Sequence, residues 1–123
     1  ALVSYMDINT PAGSCTAALE TFARNAGLDI APVLEAFRKR LDGIAALKPP
    51  FWADARFSAE AGRRFEYYDG FVFELVREAA LDRPLVSGGR YDGLIRRLSG
   101  GKRTASAVGA ALRVDRLEER GAP

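Results

Sequence analysis

Apolar positions change their period partway along the chain. From Thr10 to Gly27 they recur at helical spacing, with Ala17, Ala18, Leu19, Phe22 and Ala23 along one side. Thr10-Pro11 supplies a cap and a proline at the first helical position, and Gly27 supplies a stop, so a helix is predicted over about residues 11 to 26. Asp29 can cap a second helix, in which Ile30, Val33, Leu34, Phe37, Leu41, Ile44 and Leu47 share a face and which Pro49-Pro50 ends. Residues 1–50 then form a helical hairpin, either a packed appendage or spacer or part of a ligand site.

Beyond Pro50 the period shortens toward two. Phe51, Ala53, Ala55 and Phe57 alternate, which predicts a strand over Phe51 to Ala59 before the break at Glu60-Ala61-Gly62. Arg63 to Glu74 is crowded with aromatic and β-branched residues and reads as a second strand. A charged connection over Ala79 to Pro84 leads to Ser87-Gly88-Gly89-Arg90-Tyr91-Asp92-Gly93-Leu94, giving two antiparallel strands and a glycine turn. Gly88 and Gly89 lack the Cβ that would hold a ligand or a second chain away. A short helix follows from Tyr91 or Asp92 and ends at Ser99-Gly100-Gly101; Lys102-Arg103 is an exposed tip. Thr104 to Leu112 is a strand of small apolar residues, and Val114 to Glu119 is a closing helix. The order of elements predicts α+β with an antiparallel sheet, not a doubly wound nucleotide fold.

Composition narrows the chemistry. The chain has 123 residues, 48% apolar and 10% aromatic, enough for one modest core. Its 18 basic and 16 acidic residues nearly balance, so the molecule is no polycation, though charge can still cluster locally. With no histidine, a Ser-His-Asp triad, a histidine base and the usual metal-ligand sets are excluded from within this polypeptide, and neither a metal nor a cofactor is expected. Cys15 is the one cysteine, so no internal disulfide forms. No apolar run approaches a membrane span, and without a signal-like opening a cytoplasmic setting is expected. The chain opens at Ala1 and runs straight into Leu2-Val3-Ser4-Tyr5, and so reads as a single domain over 1–123 taken from a longer protein.

Three stretches carry a resemblance. Glu66-Tyr67-Tyr68-Asp69-Gly70-Phe71-Val72-Phe73-Glu74 resembles the histidine-recognition signature of histidyl-tRNA synthetases and their relatives, usually written RGLDYYTGxVFE. Ser87 to Leu94 is similar to the GGRYDGL segment of the same group. Ala107-Val108-Gly109-Ala110-Ala111-Leu112-Arg113-Val114-Asp115-Arg116-Leu117 is similar to motif 3 of class II synthetases, a strand and helix ending in an ATP-contacting arginine. The resemblance implies that residues 51–123 are the second half of a class II synthetase-like core and that residues 1–50 are the helical insertion before it. Motifs 1 and 2 lie outside the chain, so half of the family's site is absent and a sheet edge is left open to self-association.

Two branches of this group compete: the synthetases, which activate histidine with ATP and load it onto tRNA, and the catalytically silent paralogues that regulate ATP phosphoribosyltransferase in histidine biosynthesis. Arg113 stands where the synthetase pattern has a glycine, and an arginine there projects toward the space of a nucleotide. Arg64, Glu66 and Asp69 also depart from the synthetase signature, at positions a catalyst would hold within about 0.5 Å. These departures favour the regulatory branch: no catalytic residues, histidine as effector, a catalytic phosphoribosyltransferase subunit as partner, a homo-oligomer, and nucleic acid only under the synthetase alternative.

The resemblance implies roles for individual residues. Tyr68 and Tyr91 would line an imidazole pocket with Gly88 and Gly89 beneath, a phenol being able to donate to or accept from either ring nitrogen. Read as strand neighbours, Tyr67 and Tyr68 point to opposite faces, so only one reaches the pocket; plain sheet aromatics are the alternative. Arg63 matches the arginine that grips the carboxylate, or is a solvated strand end. Arg113 and Arg116 mark a vestigial nucleotide site, Arg116 being equally suited to an ion pair with Asp115 or Glu118. Arg90, Arg96, Arg97, Lys102, Arg103, Arg113 and Arg116 outnumber Asp92 and Asp115, an excess that suits tRNA, an acidic partner or plain solvent.

Overall fold

The computed structural model describes residues 2–61 and 67–119. The chain divides into two compact units, Ala1–Glu60 and Ala61–Pro123.

In the first unit a short helix α1 (Leu2–Met6) leads to strand β1 (Asn9–Pro11), a 3₁₀ turn (Ala12–Ser14) and helix α2 (Cys15–Ala26). The single helix expected from Pro11 is therefore a strand end, a tight turn and then a helix. Pro11 lies at φ −53° and ψ 143°, an extended conformation outside any helix. Helix α2 ends as expected at Gly27, whose φ of 66° suits a residue without a Cβ and whose amide reaches back to the last carbonyls. Helix α3 (Ala31–Ala46) follows after Asp29 Oδ1 accepts a hydrogen bond from Ala31 N at 3.1 Å.

Ala12, Cys15, Leu19 and Ala23, spaced three and four apart, are buried with Leu34 and form this unit's core. A fully buried leucine stabilises by roughly 1.5–3 kcal/mol. On the surface, Arg38 pairs with Glu20 at 2.7 Å across the two helices. The predicted apolar face of α3 is narrower than its list. Val33, turned about 100° from Leu34 round the helix, is 73% exposed, and Leu47, 81% exposed, lies beyond the last residue of α3.

The strand expected over Phe51 to Ala59 is shorter, because Trp52–Asp54 forms a 3₁₀ turn and only Arg56–Ser58 (β2) is extended. It pairs antiparallel with β1, placing Asn9 opposite Ser58, and the Phe57 ring meets Phe37 at 5.7 Å. Residues 51–60, grouped by sequence with the sheet half, thus pack within the helical unit.

The second unit is a three-stranded antiparallel sheet in the order β3 (Val72–Leu75), β4 (Val86–Arg90), β5 (Val108–Leu112). Helix α4 (Asp92–Leu98) follows β4, and α5 (Val114–Glu118) follows β5. Central β4 is buried at Ser87, Gly88 and Gly89, whereas β5 is exposed along its length. Two expectations change. Strand β3 begins only at Val72, so Tyr67 and Tyr68 precede it; and Gly88-Gly89 lies inside β4, opposite Phe73 and Val72, instead of forming a turn. Among the described residues no helix is long and apolar enough to cross a membrane.

Candidate functional site

Alternation along β4 sends its two glycines to opposite faces of the sheet. A Cβ on Gly88 would meet the Phe73 ring at 2.6 Å and Gly109 O at 2.7 Å; one on Gly89 would meet Phe71 O at 2.7 Å and the Tyr68 ring at 2.8 Å. Gly89 therefore floors the face on which Tyr68 lies, while Gly88 turns its open side to Phe73.

Tyr67, Tyr68 and Tyr91 gather on the Gly89 side. Ring centroids are 4.6 Å apart for Tyr67 and Tyr68, 5.8 Å for Tyr67 and Tyr91 and 6.2 Å for Tyr68 and Tyr91. The expectation that only one of the adjacent tyrosines reaches the pocket is corrected: neither is in a strand, so alternation does not separate them, and their hydroxyl oxygens lie 3.5 Å apart. That hydrogen bond, then burial, then the like charges that Tyr67 and Tyr91 would carry as phenolates, push the Tyr68 phenol up to about 12. The Tyr68 hydroxyl is both donor and acceptor.

Tyr91 leans over β5. Its hydroxyl donates to Val108 O at 3.3 Å, and a Cβ on Gly109 would lie 2.7 Å from that oxygen. Gly109 is thus part of the site's construction; its signal in the sequence is a glycine within a run of small strand residues.

Two carboxylates hold the junction in place. Asp69 Oδ1 accepts from Asp92 N at 3.0 Å and its Oδ2 accepts from Gly93 N, satisfying two amides of the first turn of α4. Asp92 Oδ1 accepts from Ala107 N at 2.8 Å, and Oδ2 accepts from Arg90 Nε at 2.8 Å. The Ala107 amide first and the Arg90 guanidinium second hold the Asp92 carboxyl below the usual carboxylate range. Arg90 Nη2 also donates to Ser106 Oγ at 2.9 Å. Arg90 and Asp92 are therefore internal ties of the Gly-Gly-Arg-Tyr-Asp-Gly stretch. Asp69, noted in the sequence only as a departure from a threonine, is the cap of α4.

An open hollow of about 690 Å³ is lined by Tyr67, Tyr68, Asp69, Gly93, Arg96, Arg97, Gly100 and Gly101. Of the sequence-predicted residues, Tyr68, Gly89 and Tyr91 come together, and Arg63 lies outside the described residues. Arg113 and Arg116 sit at the other end of the sheet. Arg113 N donates to Leu85 O at 2.8 Å, and Leu85 is six positions before Tyr91, roughly 20 Å along an extended strand. Arg113 is exposed. Arg116 Nη1 donates to Pro84 O at 2.7 Å, a tie to the β3–β4 connection in place of the ion pair considered from sequence. Among the described residues no cluster of metal-ligating side chains occurs.

The antiparallel α+β unit and its tyrosine cluster fit the family its motifs resemble. The family model for histidyl-tRNA synthetase matches residues 1–117, and the chain belongs to that family. Among curated relatives, it is 40% identical over 118 residues to the ATP phosphoribosyltransferase regulatory subunit of Mesorhizobium japonicum, a match covering 96% of this chain and 31% of that protein. Proteins of the same name from Allorhizobium ampelinum and Chelativorans sp. are 38% and 36% identical, each match covering 95% of this chain and 31% of the relative. The chain thus spans about a third of the length of the curated relatives it matches. No solved structure matches it significantly.

Proposed function

We propose that this chain is part of a regulatory subunit of ATP phosphoribosyltransferase, a non-catalytic member of the histidyl-tRNA synthetase family. Identity of 40% across 96% of the chain to a protein of that name is the observation that carries this reading. The chain then supplies the second half of a class II synthetase-like core, and its partner is the catalytic subunit, within a cytoplasmic assembly that includes further copies of the regulatory protein. It needs no cofactor.

Free histidine is the effector. Tyr68, whose ring packs down on Gly89, and Tyr91 face the imidazole, and a phenol hydroxyl can serve either ring nitrogen. Arg63 pairs with the carboxylate. Arg113 replaces the glycine that a nucleotide would need at the end of β5, with Arg116 beyond it. Inhibition follows by linkage: histidine must bind one arrangement of the complex more tightly than another.

Calorimetry on the full-length protein tests this. Histidine binds the wild type, and Tyr68→Phe weakens it about tenfold, the loss of one hydrogen bond. Unchanged affinity removes Tyr68 from the site. Histidine-dependent pyrophosphate exchange by the full-length protein would overturn the regulatory reading in favour of a synthetase.

A further inference from the structure

Between Asp92 and Asp115 the chain carries no carboxylate, yet Arg96, Arg97, Lys102 and Arg103 follow one another closely there. The fold collects them at the end of α4 and in the turn after it. Ser99 organises that turn: its hydroxyl lies 3.1 Å from Arg96 O and 3.3 Å from Arg103 O as donor, and accepts from Arg103 N at 3.0 Å. Gly101 N donates to Arg96 O at 2.8 Å and Gly100 N to Arg97 O at 3.1 Å. With φ of 62° and 81°, Gly100 and Gly101 take the left-handed conformation that lets the chain reverse. The loop is thus built in advance, so little ordering is left for a partner to impose.

All four side chains are exposed, and among the described residues none is held in an ion pair or a side-chain hydrogen bond. Four other arginines of the same unit are employed: Arg77 and Arg116 bind carbonyls, Arg83 pairs with Glu119, and Arg90 with Asp92. The helix dipole favours Arg96 and Arg97 in the last turn of α4, but it gives no reason for Lys102 and Arg103 beyond the helix. Leu98, between the two pairs in sequence, is 77% exposed. An exposed apolar side chain adjoining unpaired cations suits a protein interface, where an apolar contact is buried and charges steer encounter; a phosphate backbone offers nothing to cover the leucine.

We propose that Arg96, Arg97, Leu98, Lys102 and Arg103 form a docking surface for an acidic protein surface that also covers Leu98. Resting on the function proposed above, that surface belongs to the catalytic subunit. Arg96 and Arg97 line the same hollow as Tyr67 and Tyr68, so an occupied tyrosine site borders the docked partner directly.

Assembly of the full-length protein with its catalytic subunit is measured at low and high salt. Arg96→Glu with Arg97→Glu, Lys102→Glu and Arg103→Glu weakens assembly roughly 10- to 100-fold, while lysine at the three arginines keeps it near wild type. Wild-type affinity falls as salt rises. Should the fourfold variant lose its cooperative melt, Lys102→Glu with Arg103→Glu, confined to the loop, gives the same test with a smaller loss. A folded variant that assembles like wild type overturns the surface and leaves the proposed function standing. Failure of the wild type to assemble at all overturns both. Loss of tRNA binding with assembly intact makes this a nucleic-acid surface instead.

Discussion

Asp69 and Gly93 are shaped to each other: the Asp69 carboxylate accepts the Gly93 amide, and a Cβ on residue 93 would stand 2.5 Å from Asp69 Oδ2. Only with glycine at 93 can the carboxylate sit down on the first turn of α4, and that contact ties the segment bearing Tyr67 and Tyr68 to the helix that starts after Tyr91. Asp69→Ala therefore costs the full-length protein about 1 kcal/mol in urea denaturation. Gly93→Ala costs a similar amount by displacing the carboxylate, and the double variant costs clearly less than the sum. Strict additivity would show that the two residues act separately.

Glycine at position 89 answers a different need from glycine at 43. Gly89 is covered by Phe71 O and the Tyr68 ring at 2.7 and 2.8 Å, whereas nothing lies within 4 Å of a Cβ on Gly43 in α3. Gly89→Ala destabilises by about 1–3 kcal/mol through overpacking against backbone. Gly43→Ala stabilises by about 0.5–1 kcal/mol through helix propensity. Thermal melts of both variants compare the two signs directly.

Tyr68 is held protonated to about 12 by its hydrogen bond to Tyr67, its burial and the neighbouring phenols. Its raised value in the folded state means that stability is present below the ordinary tyrosine range near 10 and is lost as pH climbs through about 12. Ultraviolet titration of the native protein should show one tyrosine ionising late, and Tyr67→Phe should bring that step down. A Tyr67→Phe titration identical to wild type would contradict the contact.

Asp92 shifts the other way. The Ala107 amide and Arg90 hold it ionised, so its contribution is present above the ordinary carboxylate range near 3.8 and disappears as pH falls through the lower folded value. Melting temperature followed from pH 5 downward (about pH 5 to 2) should decline less steeply in Asp92→Asn than in wild type, the variant starting from a lower plateau.

Arg77 reaches from the β3–β4 connection to the end of α5, its Nη2 2.7 Å from Arg116 O and its Nη1 2.7 Å from Glu119 O. Orphan carbonyls at a helix C-terminus are satisfied this way, and a planar fork is needed to span two of them. Arg77→Ala should speed hydrogen exchange of the α5 amides, roughly tenfold, and Arg77→Lys should not restore protection. Equal protection in wild type and Arg77→Ala would refute the cap.

Periodicity and short-range chemistry were enough for much of the fold: α3 beginning after Asp29, α2 closing at Gly27, α4 beginning at Asp92 and the antiparallel pairing of β3 with β4 depend on neighbours in the chain. The motifs likewise named Tyr68, Gly88, Gly89 and Tyr91 together, of which Gly88 faces Phe73 on the other side of the sheet. What the tertiary structure alone decided are contacts between residues far apart in sequence. The pairing of β2 with β1 drew residues 51–60 into the helical unit, and the late start of β3 put Tyr67 beside Tyr68. Asp69 became a helix cap only because β4 returns α4 to it, and Gly109 became part of the site only because Tyr91 lies across β5. Local preference depends on a few adjacent torsions, whereas these depend on which surfaces the folded chain brings within reach, and no stretch of residues records that by itself.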